Sequence, residues 1–190
     1  MGPPTVNRVS IIDAHDLRKT YRTRSGEVRA LDGLSLSVPA GTVTGLLGPN
    51  GAGKTTAVKV LTTLIRPDSG TAHVDGLDVL AHPDAVKRII GSSGQYAAVD
   101  ENLTGLQNLE MVGRLYHLGT RRSRERAREL IELFDLVEAG DRPVKGFSGG
   151  ELQRLGIAQA QVNDPDLLIL DEPTPSLDPM GRRDVLDVMR

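Results

Sequence analysis

The segment Gly48-Pro49-Asn50-Gly51-Ala52-Gly53-Lys54-Thr55 constrains the fold more than any other part of this 190-residue chain. It matches G-x-x-x-x-G-K-[ST] without a gap. An apolar run, Val43-Thr44-Gly45-Leu46-Leu47, precedes it, and a stretch with helical periodicity, Lys54 to Ile65, follows. Strand, glycine loop and helix together make a place where backbone N–H groups wrap an anion and a helix adds its positive end. Residues 43–47 are therefore expected to form a buried strand. The helix is expected to set Val58, Leu61, Leu64 and Ile65 on one stripe and to stop before Pro67. In such a loop Lys54 reaches the β- and γ-phosphates of a nucleotide, and Thr55 turns its hydroxyl to Mg²⁺.

A second apolar run, Leu167-Leu168-Ile169-Leu170, ends in Asp171-Glu172-Pro173. It reads as a fully buried parallel strand that delivers two carboxylates at its C-terminal end. Beside a phosphate loop, Asp171 can hold Mg²⁺ through water. Glu172 is then the candidate general base for an attacking water.

Around these two runs the chain reads as α/β. Tyr21, Val28, Leu31, Leu34, Leu36 and Val38, spaced at or near period two, predict two or three strands between Asp16 and Val38 with a tight turn at Ser25-Gly26. Short strands are expected at Thr71–Val74 and Ile89–Ser92. A helical block separates them from Leu167. Thr104 with Gln107 is a capping box opening a helix to about Leu118, a charged helix follows from about Arg122 to Phe134, and another begins at Ser148. A last helix is expected from about Pro179 to Arg190. Arg121, Arg122, Arg124, Arg126 and Arg128 suggest a nucleic-acid patch by number alone, but Glu125, Glu129 and Glu132 interleave with them and predict a solvated helix face.

Composition removes other classes. With 23 Lys+Arg against 25 Asp+Glu the chain lacks the basic excess of a nucleic-acid-coating protein, and with no cysteine it has neither a disulfide framework nor a thiolate metal site. Residues 33–53 carry no charge, yet they are too rich in Gly, Ser, Pro and Thr to be a membrane span, so a soluble chain is expected. The N-terminus shows no export or lipidation signal.

Phe147-Ser148-Gly149-Gly150-Glu151-Leu152-Gln153-Arg154 separates this chain from other phosphate-loop proteins. It resembles the signature motif of the ATP-binding cassette (ABC) family, and the other motifs of that family stand in order around it. Gly48 to Thr56 is like the Walker A loop, Gln95 like the Q-loop, Leu167 to Glu172 like Walker B, and Ser176-Leu177-Asp178 like the D-loop. Tyr21 lies where the family places an aromatic that stacks on adenine. Ser148 and Glu151 also form a capping box, with Gly149 and Gly150 baring the first-turn N–H groups. Glu151 stands where many members have Gln, and it is read as reaching back into that box. Val99 to Gly105 and Gly113-Arg114-Leu115-Tyr116 look like drug-exporter subunits of the daunorubicin-resistance type, whereas Glu151-Leu152-Gln153 and Pro175-Ser176-Leu177 are closer to generic members.

The resemblance implies a P-loop NTPase core with a parallel sheet and N-terminal antiparallel strands, formed by 1–95 and 164–190, and a helical subdomain over about 96–163. It implies an ATPase that uses ATP and Mg²⁺: Gly48, Asn50, Gly51, Ala52, Gly53, Lys54, Thr55 and Thr56 on the phosphates, Thr55, Gln95 and Asp171 at the metal, and Glu172, Gln95 and Lys54 in catalysis. Ser148, Gly149, Gly150 and Asp178 would close over the nucleotide of a second ATP-binding subunit. A membrane-spanning permease on a separate chain is the other implied partner, with no nucleic acid, and the place of action is the cytoplasmic face of the cell membrane. The family's switch histidine follows the catalytic glutamate, yet His15, His73, His82 and His117 all precede Leu167. The expectation is therefore a cassette incomplete at its C-terminus that binds nucleotide and scarcely hydrolyses it alone. A soluble ABC protein without a transport role and a non-hydrolysing nucleotide-binding remnant are the alternative readings.

Overall fold

In the computed structural model, which describes residues 10–24, 26–94 and 99–170, the alternating residues near the N-terminus form a long antiparallel hairpin. Its arms are β1 (Ser10–Thr23) and β2 (Gly26–Pro39). Ile12 and Ala14 point into the core at even positions, and Leu17 does so at an odd one. A register shift between Ala14 and Leu17, with Asp16 at φ 46°, inserts the residue that changes the phase and keeps the apolar set on one face. β3 (Ser69–Val74) pairs with the other edge of β1, and β4 (Leu77–Asp78) adds to β3, so the sheet order is β2-β1-β3-β4. Helix α1 (Lys54–Leu61) buries Ala57, Val60 and Leu61 and lies against β2 and β3. Helix α2 (Pro83–Ile89) follows β4. These elements belong to a compact unit spanning Met1–Lys87, and the division from the next unit falls inside α2.

The second unit, Arg88–Arg190, contains α3 (Gly105–Leu115), α4 (Thr120–Leu133), a single 3₁₀ turn at Val144–Gly146, and α5 (Gly149–Ala160). Its core joins Leu109 of α3, Ala127, Leu130 and Ile131 of α4, and Leu155, Ile157 and Ala158 of α5, with Phe134 and Leu136 closing one end. On α4 the buried residues Ser123, Ala127, Leu130 and Ile131 recur at helical spacing. Three arginines of this helix are paired as the interleaved glutamates imply: Arg122 meets Glu129 at 2.6 Å, Arg126 meets Glu129 at 3.1 Å, and Arg121 meets Glu125 at 3.7 Å. β5 (Ile90–Ser93) and β6 (Leu167–Leu170) run parallel, from Ile90 opposite Leu167 to Ser93 opposite Leu170. A Cβ at Gly91 would run into the Ala160 carbonyl, which shows how closely β5 passes the end of α5.

Four expectations need correction. Residues 43–47 are not a strand. They are exposed, with Leu47 at 92%, and among the described residues no strand pairs with them. A parallel strand exists only through hydrogen bonds to neighbours, a requirement that apolar character alone does not meet. Helix α1 stops at Leu61 rather than Ile65, because Thr63 turns to φ 62° and leaves Leu64 70% exposed. Helix α3 ends at Leu115, a turn short of Leu118, where His117 adopts φ 60°. β6 is half-buried along its whole length rather than fully buried, and its described pairing is on one side, to β5. The expected helix from about Pro179 lies outside the described residues. Helix α2, β4 and the 3₁₀ turn were not expected; each is too short to show a clear period.

Candidate nucleotide site

The phosphate loop leads into α1 as the spacing demands. Gly51 and Gly53 sit at φ 84° and 88°, the left-handed region that turns successive N–H groups to one side. A side chain at Gly53 would also strike the Ala30 carbonyl of β2 and lie 2.9 Å from a Leu31 methyl, so the loop is seated directly on the hairpin. Ala52 N–H donates to the Pro49 carbonyl at 3.2 Å and closes the turn. The Lys54 ammonium curls back over the loop, donating to the Gly48 carbonyl at 2.7 Å and the Pro49 carbonyl at 3.0 Å.

The start of α1 is open to an anion. Gly53 caps it without a side-chain hydrogen bond, the first turn contains no acid, and a helix leaves its first N–H groups without intrahelical acceptors. Residues 48–52 and Thr55 are exposed, while Lys54 and Thr56 are half-buried. This donor set of N–H groups, ammonium and hydroxyls fits a polyphosphate, and the Thr55 hydroxyl is an oxygen it can turn to a cation.

Tyr21 is carried by β1 opposite Val28, two residues along β2 from the Ala30 carbonyl that abuts Gly53. Its ring is partly exposed, and the Lys19 ammonium lies over it, 5.9 Å from the centroid.

The signature segment lies in the second unit. Ser148 caps α5 with φ −67° and ψ 162°, accepting from the Glu151 N–H at 3.3 Å, while the Ser148 N–H donates to Glu151 Oε2 at 2.7 Å. Glu151 therefore reaches back, as its place in the capping box implies. Its other oxygen meets Arg142 Nη2 at 2.8 Å, and Arg142 also covers the Phe147 ring at 5.7 Å. The Ser148 N–H, joined by the positive charge of Arg142, holds the Glu151 carboxyl below its usual range. Ser148 and Gly149 are exposed and Gly150 is half-buried, so the amides of this helix end face solvent.

Gln95, Asp171, Glu172 and Asp178 lie outside the described residues; the parallel pair β5 and β6 ends at Ser93 and Leu170. Sequence reasoning overlooked Lys19, Asp68 and Arg142. Lys19 and Asp68 are brought together across the sheet by a contact 49 residues apart in sequence, which no local pattern announces.

An α/β chain with a phosphate loop seated on an antiparallel hairpin, and with a capped glycine segment opening a helix in a separate unit, belongs to the nucleotide-binding cassettes. The pattern of the ABC transporter family matches residues 31–175, and the chain is a member of this family, an ATP-binding domain. Similar proteins include the daunorubicin resistance ATP-binding protein DrrA2 of Streptomyces coeruleorubidus, 60% identical over 180 residues, which cover 94% of this chain and 56% of that one. The daunorubicin/doxorubicin resistance ATP-binding protein DrrA of Streptomyces peucetius is 57% identical over 94% of this chain and 53% of its own length. The chain spans about half the length of the curated relatives it matches. Among solved structures, a dimeric bacterial ABC transporter cassette superposes with a TM-score of 0.84 at 26% identity, covering 94% of this chain and 81% of that one. A dimeric post-hydrolysis cassette bound to ADP and Pi gives 0.84 at 25% identity, with the same coverage of both chains. The P-loop fold class with its N-terminal antiparallel strands and helical part is thereby shown.

Proposed function

We propose that this chain binds and hydrolyses ATP as the energy-supplying subunit of a membrane exporter for drug-like or antibiotic molecules. The observation that carries the proposal is the exposed phosphate loop, where Lys54 and the uncapped start of α1 present cationic and N–H donors with no acid in the first turn. Core 1–95 with 164–190 and helical part 96–163 are the corresponding division of the cassette. Lys54 and the amides of residues 48–56 hold the triphosphate, and Tyr21 takes the adenine. Thr55, with Gln95 and Asp171, would hold Mg²⁺, which when bound offsets the charge of the phosphate oxygens. Glu172 accepts the proton of the attacking water, with Gln95 placing it.

The Ser148 hydroxyl and the amides of exposed Gly149 and half-buried Gly150 at the start of α5 support a role in closing over the nucleotide of a second ATP-binding subunit, with Asp178 at the same junction. A permease on another chain completes the transporter, and the subunit works at the inner face of the cell membrane. Among the described residues, no helix is long and apolar enough to cross a membrane. The drug-resistance names of these similar proteins support the substrate class.

Calorimetric titration with Mg·ATP tests the reading. Lys54→Ala is expected to lose most of the binding, whereas Glu172→Gln keeps it and slows hydrolysis in the assembled transporter by about 10²- to 10⁴-fold. Unchanged ATP affinity in a folded Lys54→Ala protein overturns the site.

A further inference from the structure

Asp68 is tied to β1 three times. Its backbone N–H donates to the Arg18 carbonyl at 2.8 Å, one carboxylate oxygen accepts from the Thr20 N–H at 2.7 Å, and the other takes the Lys19 ammonium at 2.8 Å. A lysine on a strand ordinarily swings on four rotatable bonds with its head in water. The Lys19 side chain is only 19% exposed, and its pinned ammonium lies over the ring of Tyr21. One face of that ring is thus taken by a cation that a carboxylate holds in place, and Tyr21 as a whole remains partly exposed.

The ring is also in reach of the phosphate loop. Tyr21 faces Val28, and Ala30, against which Gly53 packs, is two residues further along β2. Two residues of strand span roughly 7 Å, a separation that the ribose and α-phosphate of a nucleotide can cover. An aromatic ring that must be ordered when the base arrives weakens binding by the entropy it loses, and a ring ordered beforehand does not.

We infer that Asp68 and Lys19 are a positioning pair that holds the Tyr21 ring ready to stack on the base of a nucleotide whose phosphates lie in the loop at 48–55. This rests on the proposed nucleotide site and on Tyr21 as its stacking residue. The pair touches neither phosphate nor base; it acts through the ring.

The test is calorimetric binding of two ligands to the whole chain, Mg·ATP and inorganic tripolyphosphate, the second of which has no base. Tyr21→Ala is expected to weaken ATP about ten-fold, the scale of one base stacked on an aromatic side chain. Lys19→Met is expected to weaken ATP about two- to five-fold, the scale of one exposed cation–π contact. Both leave tripolyphosphate unchanged, Lys19→Arg restores ATP affinity, and Lys19→Met causes no further loss once Tyr21 is alanine. If Lys19→Met loses native circular dichroism, Asp68→Asn carries the same test. Equal losses on both ligands, no loss on ATP, or additive losses in the double variant overturn the inference. A wild-type chain that binds neither ligand overturns the nucleotide site itself, whereas one that binds both and ignores Tyr21→Ala overturns the stacking role and keeps the phosphate loop.

Discussion

Gly53 shows at the scale of one residue what the phosphate loop requires. Its φ of 88° costs an L-residue about 1–2 kcal/mol, and a Cβ there points into the Ala30 carbonyl. Gly53→Ala is therefore expected to destabilise the protein by at least about 1–2 kcal/mol in urea unfolding and to weaken Mg·ATP binding in the same variant. Wild-type stability would mean that the loop shifts off the hairpin without cost. Glu151 carries the opposite lesson. An acid beside an intended phosphate site looks like an error, yet its carboxylate is occupied by the Ser148 N–H on one side and Arg142 on the other. The chemistry of the capping box was readable from Ser148 and Glu151 alone; Arg142 was not, because a residue nine positions upstream has no fixed geometry toward a helix start.

Elements packed through apolar residues are also tied by a few buried polar ones. Asn108 on α3 is fully buried and makes three bonds: its Oδ1 accepts from the Asp100 N–H at 2.9 Å, and its Nδ2 donates to the carbonyls of Asp100 and Thr104, both at 3.0 Å. It therefore joins α3 to the turn before it, adding to the Thr104 and Gln107 capping box that the sequence announces. Asn108→Ala is expected to cost about 1–2 kcal/mol, since it removes a buried side chain and leaves the Asp100 N–H without its acceptor, while the Asp100 and Thr104 carbonyls keep the N–H groups of Leu103 and Asn108. Thermal or urea unfolding measures it, and a change below about 0.5 kcal/mol, the size of a surface substitution, would show that water replaces the side chain. Residues 43–47 make the complementary point. Their apolar character predicts a strand, yet they are irregular, because a strand needs hydrogen-bonded neighbours that apolar character does not supply.

Among the described residues, four carboxylates are held below their ordinary range by partners in the fold. Lys19, with the Thr20 N–H, does this to Asp68; the N–H groups of Leu80 and Ala81 do it to Asp78. Arg122 and Arg126 do it to Glu129, and the Ser148 N–H does it to Glu151. A depressed carboxyl contributes stability that is fully present above its unfolded value, about 4 for Asp and Glu, and that disappears as pH falls through the lower folded value. Urea midpoints are accordingly expected to stay flat from about pH 7 to about pH 5 and to fall steeply below about pH 4. Exposure of these groups makes salt reduce the effect. A midpoint that rises on acidification would contradict the pairing seen in both units. Much of this molecule was legible in the order of its residues, because the determining interactions are local. The hairpin follows from alternation, the caps of α3 and α5 from residues three apart, the phosphate loop from glycines that alone accept its backbone, and the solvated face of α4 from interleaved charge. Tertiary structure decided what depends on partners distant in the chain. It set the ends of α1 and α3, the half-buried state of β6, the irregular course of residues 43–47, and the Asp68 and Lys19 contact beneath Tyr21. Hydrogen bonds between strands and ion pairs across a sheet have no sequence period, so only the folded chain brings those partners within reach.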